Sequence, residues 1–257
     1  MFYSKNPVFS EKSIIKAEVL QENVLYPMRM FEHLYADYTD GIVTGVRLQA
    51  KDTDELLLSP GIIKYQGRLY HMEESACVEF EHNNRMNYLK IRFDNGERTS
   101  DGELFHTQVL LTNEETCFPY EMELGRFFTE AGARLIDHAQ HFEDFFIEHN
   151  HIDVRYVPYS ARTEATISPE ITVAFARDML QKQEKGEADI CFCMQCLRKE
   201  PVDREIICAY ISAKTGRPVA KMNNAQMCEA LLSILKKGRT MVAERQTFRE
   251  RRSIIVD

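Results

Sequence analysis

The stretch ELLLSPGIIKYQGRLYHM, residues 55–72, decides the fold of the first half of this chain. Runs of branched and aromatic residues are separated there by Ser59-Pro60-Gly61 and by Gln66-Gly67-Arg68. Proline presets φ and glycine accepts positive φ, so both separators predict turns. The runs between them predict short strands, at Leu56–Leu58, Ile62–Tyr65 and Leu69–Met72.

Alternating apolar and polar residues extend this pattern on both sides of the stretch. A period of two predicts half-buried strands with the apolar side inward. The polar segments 94–103 and 112–121, which carry glycine or proline, predict hairpin loops. Gly45, Pro60, Gly61 and Gly67 are expected to form the bends and turns. The alternating apolar positions include Val46, Leu48 and Ala50, then Leu89, Ile91 and Phe93, then Val109 and Leu111.

Two helices are predicted in this first half. One is opened by Pro27, carries Met30, Phe31 and Leu34 on one face, and stops at DYTDG. The other covers 139–149, where Phe142, Phe145, Phe146 and His149 share a stripe. The proline-bearing segment 151–166 has no long period and predicts a linker.

The period becomes helical after this segment, which predicts a small bundle. Ser168-Pro169 is typical of a helix start, and Asp203 and Asn224 are expected to cap two more helices. The TGRP segment and Gly238 predict helix stops. The fold class is therefore α+β. An antiparallel β-rich domain, sandwich or barrel-like, is expected at 1–152, and a helical domain at 167–257.

Composition excludes several classes of protein. The 257 residues are 44% hydrophobic and 28% charged, as in globular proteins, and the net charge of −8 argues against nucleic acid as a general partner. No apolar run approaches the roughly 20 residues that span a bilayer, and the N-terminal segment lacks the apolar core of a signal peptide. The seven scattered cysteines suit a reducing compartment. We therefore expect a cytoplasmic protein without a membrane-spanning segment.

The cysteines of CFCMQC, which are Cys191, Cys193 and Cys196, together with Cys208, raise the possibility of a zinc site. Their spacing lacks the paired C-x-x-C turns of strong zinc motifs, so core packing of free thiols is the favoured interpretation and a zinc site the alternative. The histidines of residues 137–151 offer a second metal hypothesis, against the alternative of a solvated polar face. That cluster comprises His138, His141, His149 and His151, with Glu143 and Asp144.

The sequence contains no phosphate-binding glycine loop and no G-x-S-x-G elbow. No catalytic residue, cofactor or metal ligand is therefore assigned. The stretch from Lys236 to Arg252 holds seven basic residues against two acidic ones. It allows a nucleic-acid hypothesis, but a solvated helix face or an assembly contact explains it as well.

Four motifs occur in order: DGIVTGVRLQA, ELLLSPGIIKYQGRLYHM, NYLKIRF and ELGRFFTEAGARLIDH. This order resembles the attachment-type β domains of bacteriophage baseplate and tail-fibre proteins, over about residues 38–138. The resemblance implies a non-enzymatic structural or adaptor subunit of a phage tail-like or contractile injection assembly. Its partners would be other tail or baseplate proteins. The alternative is a zinc-stabilised regulatory or metal-dependent protein that uses the cysteine cluster.

An assembly module needs a complementary surface, and closed symmetric oligomers are the common solution. Apolar residues on more than one helix face make the second half the better source of that surface. We expect a homo-oligomer, either a dimer or a trimer, with residues 188–215 in the contact. The interface residues expected there are Phe192, Met194, Leu197 and Tyr210.

Overall fold

The first part of the chain folds into small antiparallel sheets that follow one helix, α1 (Ala17–Leu34). The structure, a computed structural model, describes residues 16–99, 102–115, 117–219 and 221–250. Every pairing between its named strands is antiparallel. In chain order the strands are β1 (Gly41–Gly45), β2 (Leu48–Ala50), β3 (Glu55–Leu58), β4 (Gly61–Tyr65), β5 (Arg68–Met72), β6 (Ala76–Glu79), β7 (Met86–Phe93), β8 (Glu97–Thr99), β9 (Gly102–Leu104), β10 (Thr107–Thr112), β11 (Glu121–Phe128) and β12 (Ile152–Asp153).

Three sheets share one apolar core. Their strand orders are β1-β4-β5, β2-β3-β6 and β10-β7-β11-β12, and β8 and β9 form a separate ribbon. Ile42, Leu56, Leu89 and Leu124, one from each of four strands, belong to a single cluster of buried side chains. The strands expected at residues 56–72 are present as β3, β4 and β5.

The glycines between these strands allow close backbone approach. Gly45 and Gly61 face each other across β1 and β4. A Cβ on Gly45 would overlap the carbonyl oxygen of Pro60, just before β4, and a Cβ on Gly61 would overlap that of Thr44 in β1. At the β4–β5 hairpin, Gln66 and Gly67 both have positive φ, +47° and +78°. Two consecutive residues with positive φ are the requirement of a type I′ hairpin turn.

The second part of the chain is helical, so the fold class is α+β, as expected. Its helices are α2 (Pro169–Leu180), α3 (Glu187–Cys196), α4 (Arg204–Thr215) and α5 (Asn224–Glu250). Ser168 caps α2 by accepting the Glu170 amide at 3.2 Å, and Gly216 ends α4 with a φ of +69°. Their inner faces form a second core of buried side chains, which includes Phe175, Phe192 and Tyr210.

Helix α1 begins at Ala17, so the expectation that Pro27 opens it is wrong. Leu20 and Val24 continue the helical spacing on the N-terminal side of the proline. Proline in a helix removes one backbone donor and crowds the preceding turn, but the helix continues through it here.

The helix expected at 139–149 is wrong as well, because only a short 3-10 turn forms, at Phe142–Phe146. Asp144 accepts the amides of Gln140 and His141, both at 2.8 Å. Asp178 of α2 accepts the Phe142 amide at 2.8 Å. These carboxylates satisfy the first amides of the turn, which places the phenylalanines against α2 without a longer helix.

The segment 151–166 is not a linker. Its strand β12 pairs with β11, and Tyr159 forms backbone bridges with Ile42 and Thr166. Val154 packs against both cores, and Phe142 already belongs to the helical one. Packing between the two parts is continuous here and marks no boundary between them. The expected domain limits, 1–152 and 167–257, therefore stay a prediction.

Two expectations about α5 are corrected. Its capping side chain is Asn223, which accepts the Gln226 amide at 2.9 Å while Gln226 accepts the Asn223 amide at 2.9 Å. Asn224 turns inward instead and is buried. The helix also passes Gly238, because one glycine in a helix costs only about 1 kcal/mol relative to alanine.

Candidate interaction surfaces

Helix α3 carries apolar side chains on two opposite sides. Phe192, with the thiols of Cys193 and Cys196, lies in the helical core. On the outer side, an exposed stripe follows the i, i+4, i+7 spacing of one helix face. We call it the α3 stripe; it consists of Ile190, Met194 and Leu197, which are 45%, 61% and 38% exposed.

The α3 stripe contains only two of the four residues expected at an interface. Met194 and Leu197 are accessible to a partner, whereas Phe192 and Tyr210 are 3% and 5% exposed. The rings of these two stack at 4.2 Å between centroids, with 8° between their planes. Both rings lie in the helical core, on the side of α3 opposite to the stripe, and are closed to a partner. Ile190, which the interface prediction left out, completes the face by its spacing.

A buried carboxylate fixes α3 on α4. Asp189 accepts hydrogen bonds from the Tyr210 hydroxyl at 2.7 Å, the Lys214 ammonium at 2.8 Å and the Gly186 amide at 2.9 Å. Burial alone would raise the pKa of Asp189, but these hydrogen bonds outweigh it and hold the pKa below its usual value. The ionised carboxylate therefore holds the first turn of α3 and positions the α3 stripe.

The ELGR motif of β11 forms an ion pair within the β part. A register shift between Glu123 and Gly125 marks a bulge, which brings Glu123 and Arg126 to the same side of the strand. The Arg126 guanidinium donates to both oxygens of Glu123, at 2.7 and 2.8 Å, and lies 3.6 Å from the Tyr156 ring centroid. Burial opposes the charge, but Glu123 and Glu115 outweigh it and raise the pKa of Arg126.

The last of the four motifs, ELGRFFTEAGARLIDH, contacts the first, DGIVTGVRLQA. Asp137, at the end of ELGRFFTEAGARLIDH, accepts the Ala50 amide of β2 at 2.9 Å. Leu135 of the same segment is buried in the β core. The four motifs named above therefore contribute to one packed unit, and their polar residues serve to join its elements.

The four cysteines of the predicted zinc site differ in burial. Cys193 and Cys196 are buried, and burial raises the pKa of their thiols to about 11 and about 12. Cys191 is exposed, and Cys208 lies on α4. Across residues 16–99, 102–115, 117–219 and 221–250, no three His, Cys, Asp or Glu side chains are grouped so that they could hold a metal ion. The zinc hypothesis stays a prediction, which elemental analysis of protein purified without added metal tests.

Three of the four histidines of residues 137–151 contact separate carboxylates. The fourth, His151, is buried, and this burial lowers its pKa. Asp137 is next to His138 in the sequence, whereas Asp178 and Glu130 lie on other segments, so the contacts of His141 and His149 join neighbouring parts of the fold. The contacts are His138 with Asp137, His141 with Asp178 and His149 with Glu130, each at 3.1 Å.

A cleft of about 360 Å³ lies where the two cores meet. Val157 and Val173 line it, and an ion pair between Arg47 and Glu170, with 3.1 Å between nitrogen and oxygen, stands in its wall. The pair joins the segment between β1 and β2 to α2. We interpret the cleft as part of the contact between the two halves.

Most side chains of the basic stretch from Lys236 to Arg252 lie outside those that the structure describes, so the nucleic-acid hypothesis stays untested. Among the described helices, none is long and apolar enough to cross a membrane.

Comparison with known proteins found no matching family model and no matching curated protein. Among solved structures, one similar chain comes from "Crystal structure of TssK", with 10% identity and a TM-score of 0.38, covering 91% of this chain and 69% of that one. Another comes from a structure of the type VI secretion system TssK-TssF-TssG baseplate subcomplex, with 7% identity and a TM-score of 0.43, covering 92% of this chain and 99% of that one. At these scores, the fold assignment rests on this chain's own strands and helices.

Proposed function

We propose that this protein is a non-enzymatic structural or adaptor subunit of a phage tail-like or contractile injection assembly. It would act in the cytoplasm through protein–protein contacts with other tail or baseplate proteins. The choice of assembly is supported by the ordered β motifs, which resemble those of baseplate and tail-fibre attachment domains.

The α3 stripe is the observation that carries an interaction role. Ile190 and Met194 lie on α3 and Leu197 caps its C-terminal end, and the helix cannot turn them inward without exposing Phe192, Cys193 and Cys196 of the core. Contiguous apolar side chains on a protein surface mark interaction sites. The stacked rings on the packed side of α3 and the Asp189 network hold the helix in place, which favours binding without a change of conformation.

The experiment is co-expression of the chain with the sheath, tube, spike and baseplate candidates encoded beside its gene, followed by co-purification. Met194→Glu should weaken capture of the partner at least tenfold, because it places a charge in the centre of an apolar contact. Gln195→Glu is the matched control, since it adds the same charge to the next, exposed residue of α3.

Solution mass of the same two variants tests whether the α3 stripe also joins copies of the chain. If Met194→Glu still binds the partner as the wild type does, the partner site does not lie on α3. Absence of tail genes nearby, together with no capture of any of their products, would contradict the proposed function itself.

A further inference from the structure

Helix α1 has a long apolar face that contacts no other part of the described chain closely. None of its eighteen residues is buried. Leu20, Val24, Phe31 and Leu34 are each more than half exposed. Most of the stability of a helix in a protein comes from packing of its apolar face, and an internal proline weakens a helix that lacks such packing. Such a helix requires a partner that covers its apolar face.

The spacing of this face specifies another helix as that partner. The residues recur at alternating intervals of three and four, the heptad pattern by which helices pack side by side. We call this face the α1 seam; it consists of Ala17, Leu20, Val24, Pro27, Phe31 and Leu34. Helix α1 is about 27 Å long at 1.5 Å per residue, so the α1 seam covers its whole length.

The charges of α1 are compatible with a second copy of the same helix. All its acidic residues and Arg29 lie outside the α1 seam, and Arg29 pairs with Glu22 at 3.5 Å on the outer side. The positions that flank the α1 seam are Gln21, Asn23, Met28 and Met30, which carry no charge. Two α1 seams can therefore face each other in either direction without like charges opposite one another.

The same charges disfavour a lipid surface. Helices that lie on membranes carry Lys and Arg on the polar face. The polar side of α1 instead holds Glu18, Glu22 and Glu32 against Arg29. An anionic bilayer would repel this side.

The C-terminal end of α1 is fixed to the β part. The buried ammonium of Lys64 on β4 donates to the carbonyl oxygens of Tyr35, Ala36 and Tyr38, at 2.5, 3.1 and 2.6 Å. The residues of α1 that are partly covered, such as Val19 and Tyr26, lie on the side away from the α1 seam. The seam is therefore presented outward from a fixed base.

We infer that the α1 seam binds the α1 seam of a second copy of this chain and thereby holds the protein in a homo-oligomer. This inference goes beyond the proposed function, because it assigns self-association to α1 and leaves the α3 stripe for a different partner.

The test is the mass of the full chain by sedimentation equilibrium over a roughly hundredfold range of concentration. The wild type should self-associate, and Phe31→Lys should raise its dissociation constant at least tenfold, because it places a charge in the α1 seam. Glu32→Lys is the matched control, since it adds the same side chain to the next, exposed position and should leave the mass unchanged. Because Phe31 and Glu32 are exposed and belong to neither core, both variants should keep the two cores folded.

Three results would overturn the inference: a monomeric wild type, an oligomer that Phe31→Lys leaves intact, or a monomer that binds anionic vesicles through Phe31. If Met194→Glu dissociates the oligomer and Phe31→Lys does not, copies associate through α3. Capture of tail proteins by a Phe31→Lys monomer would leave the proposed function standing.

Discussion

At the scale of single residues, buried charges hold the elements of this chain in place. The pairs of Glu123 with Arg126 and of Asp189 with Lys214 each join a cation to a carboxylate that is largely buried. A buried ion pair adds little net stability compared with apolar packing, but the loss of one partner leaves a charge without compensation. These residues therefore restrict how their elements pack.

Replacing Asp189 by asparagine should lower the free energy of unfolding by about 2–4 kcal/mol at pH 7, since Tyr210 and Lys214 lose a charged acceptor. The pKa of Asp189 is lowered in the folded chain, so its contribution is complete above the unfolded value of about 3.9. It disappears as the pH falls through the lower, folded value. The difference between wild type and variant should therefore narrow below about pH 4.

Denaturant unfolding of both proteins at a series of pH values measures this difference. Glu187→Gln, in the exposed first turn of the same helix, is the control and should change stability little. A gap between wild type and Asp189→Asn that stays constant down to the lowest pH would show that Asp189 is not held ionised.

At the scale of elements, α1 depends on one lysine for its position. Lys64→Met keeps an unbranched apolar stem but leaves three carbonyl oxygens without the ammonium donor. Hydrogen bonds to charged groups are worth about 1.5–3 kcal/mol each, and exposed carbonyls can partly recover them from water. We expect a loss of about 2–3 kcal/mol in unfolding free energy, with faster amide exchange throughout α1.

Hydrogen exchange followed by mass spectrometry separates this effect from general destabilisation. Exposed Lys51, which pairs with Glu55 on the surface, provides the control variant Lys51→Met, for which exchange in α1 should not change. Faster exchange in the β core together with unchanged exchange in α1 would contradict the anchoring role of Lys64.

Local sequence signals predicted those elements whose determinants lie within a few residues. The hairpin at Gln66-Gly67 and the start of α2 at Ser168-Pro169 are of this kind. The 3-10 turn at Phe142 depends on Asp178, 36 residues away, and no local pattern reveals that contact. Helix α3 is apolar on both sides, so its sequence does not distinguish the side with Phe192, which is packed, from the side with Met194, which is exposed.

At the scale of the whole molecule, one asparagine joins the two cores. The buried amide of Asn224, at the start of α5, donates to the carbonyl oxygens of Val157 at 3.0 Å and Thr166 at 3.2 Å. Its own oxygen accepts the Arg204 guanidinium of α4 at 2.5 Å. Val157 belongs to the β core, so this side chain connects strands, helices and the segment between them.

Asn224→Leu should therefore destabilise both halves. Leucine has the same branching but cannot bond the carbonyl oxygens of Val157 and Thr166 or the Arg204 guanidinium, for an expected loss of about 3 kcal/mol. Amide exchange should accelerate in β1 and β12 as well as in α4 and α5, because the two cores lose a shared contact. Asn223→Ala, which removes only the cap of α5, should cost about 1 kcal/mol and leave exchange in the strands unchanged. If Asn224→Leu accelerates exchange in the helices alone, the two parts unfold independently, and the continuous packing around 151–166 does not make them one cooperative unit.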